Sequence, residues 1–176
     1  MSDPVETPWH GRFLEIRTQG TWEYAARRGD LHAAVILAIH EGAVILVEQY
    51  RTPLGCRTIE LPAGLVGDQP VEDGHEPETV EAAAARELEE ETGYRPSRIE
   101  PLGVFASSPG MTSETFTLVR ATGLTRVGDG GGEEGEGITV HTIPLAAVAG
   151  FVAAKRAEGY AVDVKMLLVL AGGFLA

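Results

Sequence analysis

The sequence predicts an α/β domain in which a mixed β-sheet lies between helices. The first observation behind this prediction is a series of short segments rich in valine, isoleucine and leucine, each bounded by turn residues. The second is residues 78–92, an alanine- and glutamate-rich stretch without glycine or proline that stops at Gly93 and predicts the clearest helix. The third is helical composition near the C-terminus, over residues 145–158 and again over 162–175.

Strands are predicted at residues 13–17, 21–27, 31–39, 43–49, 59–61, 99–106, 115–120 and 138–143. Glu41-Gly42 has the chemistry of a tight turn, so the third and fourth segments are expected to form a hairpin. Residues 64–77 and 128–137 are rich in glycine and are expected to be loops. We expect residues 1–30 to form a short N-terminal strand extension and residues 31–176 to form the main domain.

The net charge of −12 makes the chain a poor candidate for binding nucleic acid, which favours a basic surface. The acidity is concentrated: residues 72–91 contain nine carboxylates, and Glu133, Glu134 and Glu136 form a second group. Such groups are either solvated acidic faces or sites where a divalent cation neutralises part of the charge.

No apolar run is long enough to span a membrane, and the first residues lack the basic start and apolar stretch of a signal peptide. Cys56 is the only cysteine, so no internal disulfide can form. We therefore expect a cytoplasmic protein that does not associate with membranes.

The predicted helix places Glu87, Glu90 and Glu91 on one face, because side chains three or four residues apart are neighbours on a helix. Clustered carboxylates repel one another, and a hard cation with oxygen ligands removes that repulsion. Arg86 precedes Glu90 by four residues and can pair with it. Spacing alone leaves a solvated acidic helix as an equal alternative.

The segment Arg86-Glu87-Leu88-x-Glu90-Glu91-x-Gly93-Tyr94 resembles the second half of the Nudix box, G-x5-E-x7-R-E-U-x-E-E-x-G-U, where U is a bulky apolar residue. Glu78 stands seven residues before Arg86, as this pattern requires. The resemblance implies a Nudix α/β/α sandwich and metal-dependent attack of water on a diphosphate. It also implies that Glu87, Glu90 and Glu91 bind Mg²⁺, for which Mn²⁺ can substitute, and that Arg86 holds the loop against the helix.

The glycine of the box falls at Gly64, which thirteen residues separate from Glu78, whereas the family pattern has five. We interpret the difference as an eight-residue insertion within residues 66–77, which a surface loop absorbs at low entropic cost. The resemblance further implies that the backbone carbonyl of Ala63 is a metal ligand and that Gly64 lies at the substrate.

Two further segments resemble the ADP-ribose and ADP-sugar pyrophosphatase branch. The first runs from Glu48 through Arg51 to Gly64, and it implies that Arg51 contacts the diphosphate, for which a forked guanidinium is suited. The second is Ser-Pro-Gly-Met-Thr-Ser-Glu over residues 108–114, where Met111 is expected at the substrate and Glu114 is expected either to bind ribose hydroxyls or to orient another residue. A surface arginine and a plain turn between strands are the alternatives.

Trp9 and Trp22 are the only tryptophans, and residues 22–28 resemble the N-terminal segment of the same branch, in which aromatic rings enclose adenine across a homodimer. Filling a core or an interface is the alternative role for both rings. The resemblance places the catalytic base on a late loop, here residues 133–141, where Glu136, or else Glu134, would take a proton from water or bind an additional metal ion, and Glu91 is expected to be catalytic as well. A disordered acidic loop is the alternative. Glycines on both sides predict that this loop is mobile.

The sequence thus predicts a Mg²⁺-dependent hydrolase that converts ADP-ribose, or a related nucleoside diphosphate sugar, into AMP and a sugar phosphate. A different substrate, such as a GDP-sugar or a dinucleoside polyphosphate, stays open because the insertion could reshape the pocket. A module that binds a nucleotide sugar without cleaving it is the third hypothesis, although a pure sensor need not keep all three glutamates.

Overall fold

The computed structural model describes residues 3–29, 31–67 and 77–171. Within these residues the strands, numbered in chain order, are β1 (Glu6–His10), β2 (Leu14–Gln19), β3 (Trp22–Arg27), β4 (His32–His40), β5 (Ala43–Arg51), β6 (Cys56–Glu60), β7 (Ala63–Val66), β8 (Tyr94–Arg95), β9 (Arg98–Ala106), β10 (Thr115–Thr122), β11 (Thr125–Arg126), β12 (Thr139–Pro144) and β13 (Ala161–Val162). The α-helices are α1 (Val80–Thr92), α2 (Val148–Ala157) and α3 (Leu167–Leu170). Short 3₁₀ turns at Leu145–Ala147 and Val164–Met166 precede α2 and α3.

The main sheet is mixed, as the sequence predicts. Its strands run in the order β13-β6-β5-β4-β10-β9, with β12 paired to β5 and β7 paired to β4. β4 and β10 pair in parallel, as do β6 and β13, whereas the other pairs in this sheet are antiparallel. β4 and β5 are paired beside their turn, at Ile39↔Val44 and His40↔Ala43; further along, β4 pairs with β7 and β10, and β5 pairs with β6 and β12. The sheet thus divides into two halves beyond the hairpin.

Helices cover both faces of this sheet and confirm the α/β/α arrangement. Alternate residues of β4 point to opposite faces, so Ile36 packs in one core with Leu88 of α1, while Val35 and Leu37 pack in the other core, which also contains Val152 of α2. Burial on both faces explains why β4 and β5 are continuous apolar runs rather than alternating ones.

The N-terminal sheet is separate, antiparallel and largely exposed, in the order β1-β2-β3. Strand β1 was not predicted, because Pro8 disfavours a strand; as an edge strand β1 can accommodate it. A backbone bridge between Ala25 and Thr112 joins this sheet to the loop before β10. The division at residue 30 into an extension and a main domain stays a prediction.

Two predicted elements are wrong. The glycine-rich stretch that begins at Gly64 starts with strand β7, because its backbone pairs with the edge of β4; residues 68–76, most of the insertion, lie outside the described residues. The predicted helix over 162–175 is instead a strand, a 3₁₀ turn and the short helix α3 within the described residues. Val162 pairs with Ile59 of β6, and the Asp163 carboxylate accepts a hydrogen bond of 2.7 Å from the Lys165 amide, so tertiary pairing and a local cap override helix propensity.

None of the helices formed by the described residues is both long and apolar enough to cross a membrane. The cytoplasmic location expected from the sequence stays a prediction.

Candidate active site

Helix α1 carries the acidic residues that the sequence singled out. The helix begins where the Thr79 hydroxyl accepts a hydrogen bond of 3.2 Å from the Ala82 amide, and it ends at Gly93, whose φ of 75° is left-handed. Ala84 and Leu88 are fully buried against the sheet, which fixes the rotation of the helix. As a result, Glu91 is also buried, and Glu87 lies at the wall of a cavity.

Strand β7 lies directly against these carboxylates. The Ala63 amide donates a hydrogen bond of 3.1 Å to the Glu91 carboxylate. A Cβ atom on Gly64 would overlap the Glu87 carboxylate, so no larger residue fits there unless Glu87 moves. Gly64 and the residue before it, Ala63, therefore lie against Glu87 and Glu91 of the box.

Arg86 organises the rest of the box. Its guanidinium donates to Glu78 at 3.0 Å, to Glu87 at 2.9 Å, to Glu90 at 3.0 Å and to the Leu65 carbonyl at 3.4 Å. Glu78 also accepts a longer bond of 3.4 Å from the amide of Gly67. Glu78 is thus bonded both to Arg86 of α1 and to Gly67, the residue that follows β7, although the insertion separates it from Gly64.

The charge on Glu91 is poorly compensated. Burial raises the pKa of this carboxyl to about 8; the Ala63 amide opposes the shift, Glu87 and Glu136 add to it, and Arg51 weakens it. A buried carboxylate is costly to ionise without a cation, so this position favours the arrival of positive charge.

The chemistry of the donors fits a divalent metal ion. Carboxylate and carbonyl oxygens are the ligands that Mg²⁺ prefers, and Glu91 lacks a compensating cation at hydrogen-bonding distance among the described residues. Across the part of the chain that the structure describes, no three acidic, histidine or cysteine side chains already form a metal-binding group. At the helix surface, Glu87 and Glu90 are both bonded to Arg86 instead.

A cavity of about 610 Å³ opens beside this helix, at the point where the two halves of the sheet diverge. This volume lies within the range of small-molecule sites. Three cations line it, and each is held by a carboxylate: Arg51 by Glu60, Arg27 by Glu114, and Lys165 by Asp163.

Arg51 and Glu60 form a forked pair with two bonds of 2.7 Å, and the Thr58 hydroxyl also donates to Glu60. Glu60 is buried and aligns the guanidinium, which is partly exposed to the cavity. Arg51 therefore lines the cavity with its Nε and one terminal nitrogen bonded to Glu60, and its contact with a diphosphate stays a prediction.

The loop at residues 108–114 docks on the N-terminal sheet. Ala25 donates its amide to the Met111 carbonyl at 2.9 Å, and Ser113 donates to the Ala25 carbonyl at 3.0 Å. Glu114 follows this contact and accepts a bond of 2.7 Å from Arg27. Glu114 thus orients a second residue, which the sequence analysis allowed, whereas the Met111 side chain is exposed outside the cavity wall.

Trp9 and Trp22 are 56% and 59% exposed on the N-terminal sheet and are not among the residues that line the cavity of this single chain. Their role toward adenine, and the homodimer it requires, stay predictions.

Of the two candidate bases, Glu136 lines the cavity, while Glu134 is exposed on the same turn. The Glu136 carboxylate accepts a bond of 2.9 Å from the Glu133 amide, and its charge acts on Glu91. Immediately before this turn, the amides of Gly131 and Gly132 donate to the carbonyls of Glu91 and Glu90 at the end of α1. The loop is therefore attached to the helix rather than free along its whole length.

A family model described as the NUDIX domain matches residues 30–161, which is most of the chain. The chain belongs to the Nudix family. Nudix hydrolases generally need divalent metal ions, in agreement with the oxygen donors of the box.

Relatives are found in several organisms. The chain is 37% identical to the methanol dehydrogenase activator of Bacillus methanolicus over 124 residues, covering 70% of this chain and 63% of that protein. It is 38% identical to the ADP-sugar pyrophosphatase of Mus musculus over 114 residues, with coverages of 61% and 49%. It is 42% identical to the ADP-ribose pyrophosphatase of Bacillus subtilis over 92 residues, with coverages of 52% and 45%. The matches therefore span between 45% and 63% of each relative's own length.

Among solved structures, the crystal structure of an ADP compounds hydrolase matches with a TM-score of 0.66 and 23% identity, covering 87% of this chain and 82% of that one. This likeness shows the shared Nudix fold.

Four charged residues that line the cavity had no role predicted from the sequence: Arg27, Glu60, Asp163 and Lys165. Arg27 stands within the N-terminal segment quoted for the family resemblance, so its position was a usable signal. The Asp163–Lys165 turn gave no such signal, because its composition predicts a helix.

Proposed function

We propose that this Nudix domain hydrolyses the diphosphate of ADP-ribose, or of a related nucleoside diphosphate sugar, into AMP and a sugar phosphate. One observation carries the proposal: a single cavity is lined on one side by Glu87 of the acidic box and on the other by three cations that carboxylates hold in place, and the poorly compensated Glu91 lies on the same helix as Glu87. The acidic side fits a divalent metal ion, and the cationic side fits phosphate oxygens. Relatives named as ADP-ribose and ADP-sugar pyrophosphatases support this substrate class.

Glu87, Glu90, Glu91 and the carbonyl of Ala63 would hold Mg²⁺, or Mn²⁺ in its place. When bound, the metal ion supplies neutralisation of phosphate charge and acidification of a ligated water. Glu87 and Glu90 would exchange their bonds with Arg86 for this role, while Arg86 keeps its bonds to Glu78 and the Leu65 carbonyl.

The cations would act on the substrate itself. Arg51 presents a guanidinium that Glu60 has already oriented, so little side-chain entropy is lost when it meets the diphosphate. Arg27 comes from the N-terminal sheet and would hold the nucleotide side of the substrate, with Glu114 fixing its direction. Such preoriented charges favour the transition state, in which charge on the phosphate oxygens increases.

Glu136 is the proposed general base, with Glu134 as the second candidate. It would take one proton from the attacking water as the new P–O bond forms and the bridging P–O–P bond breaks. For ADP-ribose the products are AMP and ribose 5-phosphate.

The proposed homodimer rests on the N-terminal sheet. Trp9, Phe13 and Trp22 are each more than half exposed there, and isolated monomers seldom expose such rings together. A second copy covering residues 1–30 would bury these rings and could place Trp9 and Trp22 around adenine.

Product analysis tests the function. Incubation with Mg²⁺ and a panel of ADP-ribose, ADP-glucose, GDP-mannose and diadenosine polyphosphates should release AMP fastest from ADP-ribose. Faster cleavage of GDP-mannose or a diadenosine polyphosphate would overturn the substrate class. Tight binding of ADP-ribose without turnover in Mg²⁺ or Mn²⁺ would instead indicate a non-catalytic binding module.

Two variants on α1 form a matched pair for this assay. Glu87→Gln should lower turnover by on the order of 10²-fold or more, because it weakens a proposed metal ligand at the cavity wall. Glu89→Gln should retain activity, because Glu89 pairs with Arg95 at 2.7 Å on the outer surface. Equal activity of the two variants would contradict the assigned metal site.

A further inference from the structure

The last turn of α1 ends against a glycine-rich segment rather than in solvent. The final carbonyls of a helix lack partners within the helix. Here the Glu89 carbonyl accepts from Gly93 at 2.8 Å, the Glu90 carbonyl from Gly132 at 3.0 Å, and the Glu91 carbonyl from Gly131 at 2.8 Å. Two of these three donors come from a segment that lies about forty positions further along the chain.

The same segment begins its contact one step earlier. Arg126 of β11 pairs with Tyr94 of β8, and the amides of Val127 and Gly128 both donate to the Gly93 carbonyl, at 2.8 and 3.2 Å. Residues 125–132 therefore run continuously along the end of the helix.

Glycine is required for this approach. A Cβ atom on Gly130 would lie 2.5 Å from the Thr92 carbonyl carbon and 2.6 Å from the Glu91 oxygen, which are backbone atoms that cannot turn away. Gly130 and Gly132 also have φ values of 69° and 73°, which other residues rarely adopt. A Cβ on Gly93 would overlap the Gly128 carbonyl from the other side.

The contact suits the charge of this helix end. The last turn carries no basic residue, although the negative end of the helix dipole lies beside the box glutamates. Backbone amides of the segment supply the positive partial charge that a lysine or arginine would otherwise provide.

The attachment ends four residues before Glu136. Beyond Gly132 the chain makes one turn, in which the Glu136 amide donates to the Glu133 carbonyl at 3.1 Å and the Glu136 carboxylate accepts from the Glu133 amide. Ile138 is then buried, and β12 begins at Thr139. Glu136 is thus tethered on both sides, and one of its tethers is the backbone of Glu90 and Glu91.

We propose that residues 128–132 form a latch that positions Glu136 by fastening its loop to the metal-ligand turn of α1. The latch holds the loop of Glu136 at a fixed position relative to the last turn of α1, which carries Glu90 and Glu91. Only residues 133–137 are then free to move when substrate enters. This positioning role rests on the proposed function of Glu136, whereas the latch itself does not.

Amide hydrogen exchange of the substrate-free, metal-free protein tests the latch directly. The Gly131 and Gly132 amides should exchange slowly, although they belong to a loop with high glycine content, because both donate to helix carbonyls. Exchange at the rate of an unstructured peptide in the wild-type protein would overturn the latch, and no variant has to fold for that result.

Gly130→Ala and Gly137→Ala form a matched pair. Their φ values of 69° and 61° impose a similar backbone penalty, but a Cβ on Gly137 meets nothing within 4 Å. Gly130→Ala should speed exchange of the two amides by about tenfold or more. Gly137→Ala should leave them protected, and unchanged protection in Gly130→Ala would overturn the latch.

Kinetics then separate positioning from folding. Gly130→Ala should lower kcat by on the order of 10²-fold with little change in KM, because a misplaced base impairs chemistry while the cavity cations still bind substrate. Released amides with an unchanged kcat would overturn the positioning role. If wild-type protein cleaves no member of the substrate panel, the proposed function fails, while the exchange result still decides the latch.

Discussion

Two glutamates in this molecule are equally buried, with 6% exposure each, yet their surroundings are opposite. Glu48 on β5 accepts bonds from Arg57 at 3.0 Å, Lys155 at 3.2 Å and Tyr160 at 3.1 Å, and His141 lies 3.0 Å away. Glu91 on α1 accepts one bond of 3.1 Å from a backbone amide.

The pKa values follow these surroundings. Burial alone would raise the pKa of Glu48, but the bonds from His141, Lys155 and Tyr160 outweigh it and hold the pKa below its usual range. Burial raises the pKa of Glu91 to about 8, because its amide partner and Arg51 are insufficient. Equal solvent exposure therefore does not imply an equal role: Glu48 is fully partnered and stabilises the fold, while Glu91 lies in a deeper environment with few partners, which favours the approach of a cation.

The largest expected effect concerns Glu91, the proposed metal ligand of this pair. Glu91→Gln should lower turnover of ADP-ribose by on the order of 10³-fold, because the amide cannot supply the negative charge that the metal ion needs. Glu48→Gln, assayed at a temperature where it stays folded, should change turnover less than about threefold, since none of the hydrogen-bonding partners of Glu48 lines the cavity, whereas Glu91 is bonded to Ala63, which does. Steady-state kinetics measure the turnover of both variants, and circular dichroism checks that both are folded. Comparable losses of turnover in the two variants would contradict the different roles assigned to Glu91 and Glu48.

The shared helix face of the three glutamates could be predicted because its geometry is local. Carboxylates at helical spacing stay on one face whatever the rest of the fold does, whereas the role of Glu87 and Glu91 as metal ligands stays a prediction. Arg27 and Glu114 are 87 positions apart, and they meet only because the loop before β10 docks on β3. The glycines at 130–132 predicted mobility by composition, whereas their attachment to α1 depends on tertiary contact and was not predictable.

The Glu48 cluster shows the same limit. Its members come from β5, β6, β12, α2 and the residue before β13, and no sequence pattern joins them. The structure places His141 against Glu48 and 5.1 Å from the Phe151 ring, measured between ring centroids.

The next largest effect concerns the stability contributed by Glu48. Glu48→Gln should lower the free energy of unfolding by about 2–4 kcal/mol, because Lys155, whose side chain is 17% exposed, loses its buried counter-charge. Glu91→Gln, measured without metal at pH 7.5, should not destabilise, because on folding the wild-type carboxyl must either take up a proton or keep a poorly compensated charge, a cost that glutamine lacks. Urea unfolding of both variants beside wild type measures this; a loss smaller than about 0.5 kcal/mol in Glu48→Gln would show that the cluster contributes little.

Measured per pH unit, the smallest effect is a pair of opposite pH slopes. Stability rises with pH wherever the unfolded state binds more protons than the folded state, by at most about 1.4 kcal/mol per pH unit for one group. The unfolded pKa of a glutamate is about 4.3. Glu48 has a folded pKa below that value, so its stabilisation is fully present above it and is lost as pH falls through the folded pKa.

Glu91 has a folded pKa of about 8, above the unfolded value, so the folded state holds the extra proton between the two. Its contribution must therefore decrease as pH rises from about 4.3 to about 8. With metal removed by a chelator, the difference in unfolding free energy between wild type and Glu91→Gln should fall steadily across that window, whereas the difference for Glu48→Gln should be flat there and change only in acid. Saturating Mg²⁺ should flatten the Glu91 slope, because a nearby cation favours the ionised carboxylate. A flat Glu91 difference without metal would mean that water or a mobile cation already compensates this charge, and the contrast between the two glutamates would then rest on position alone.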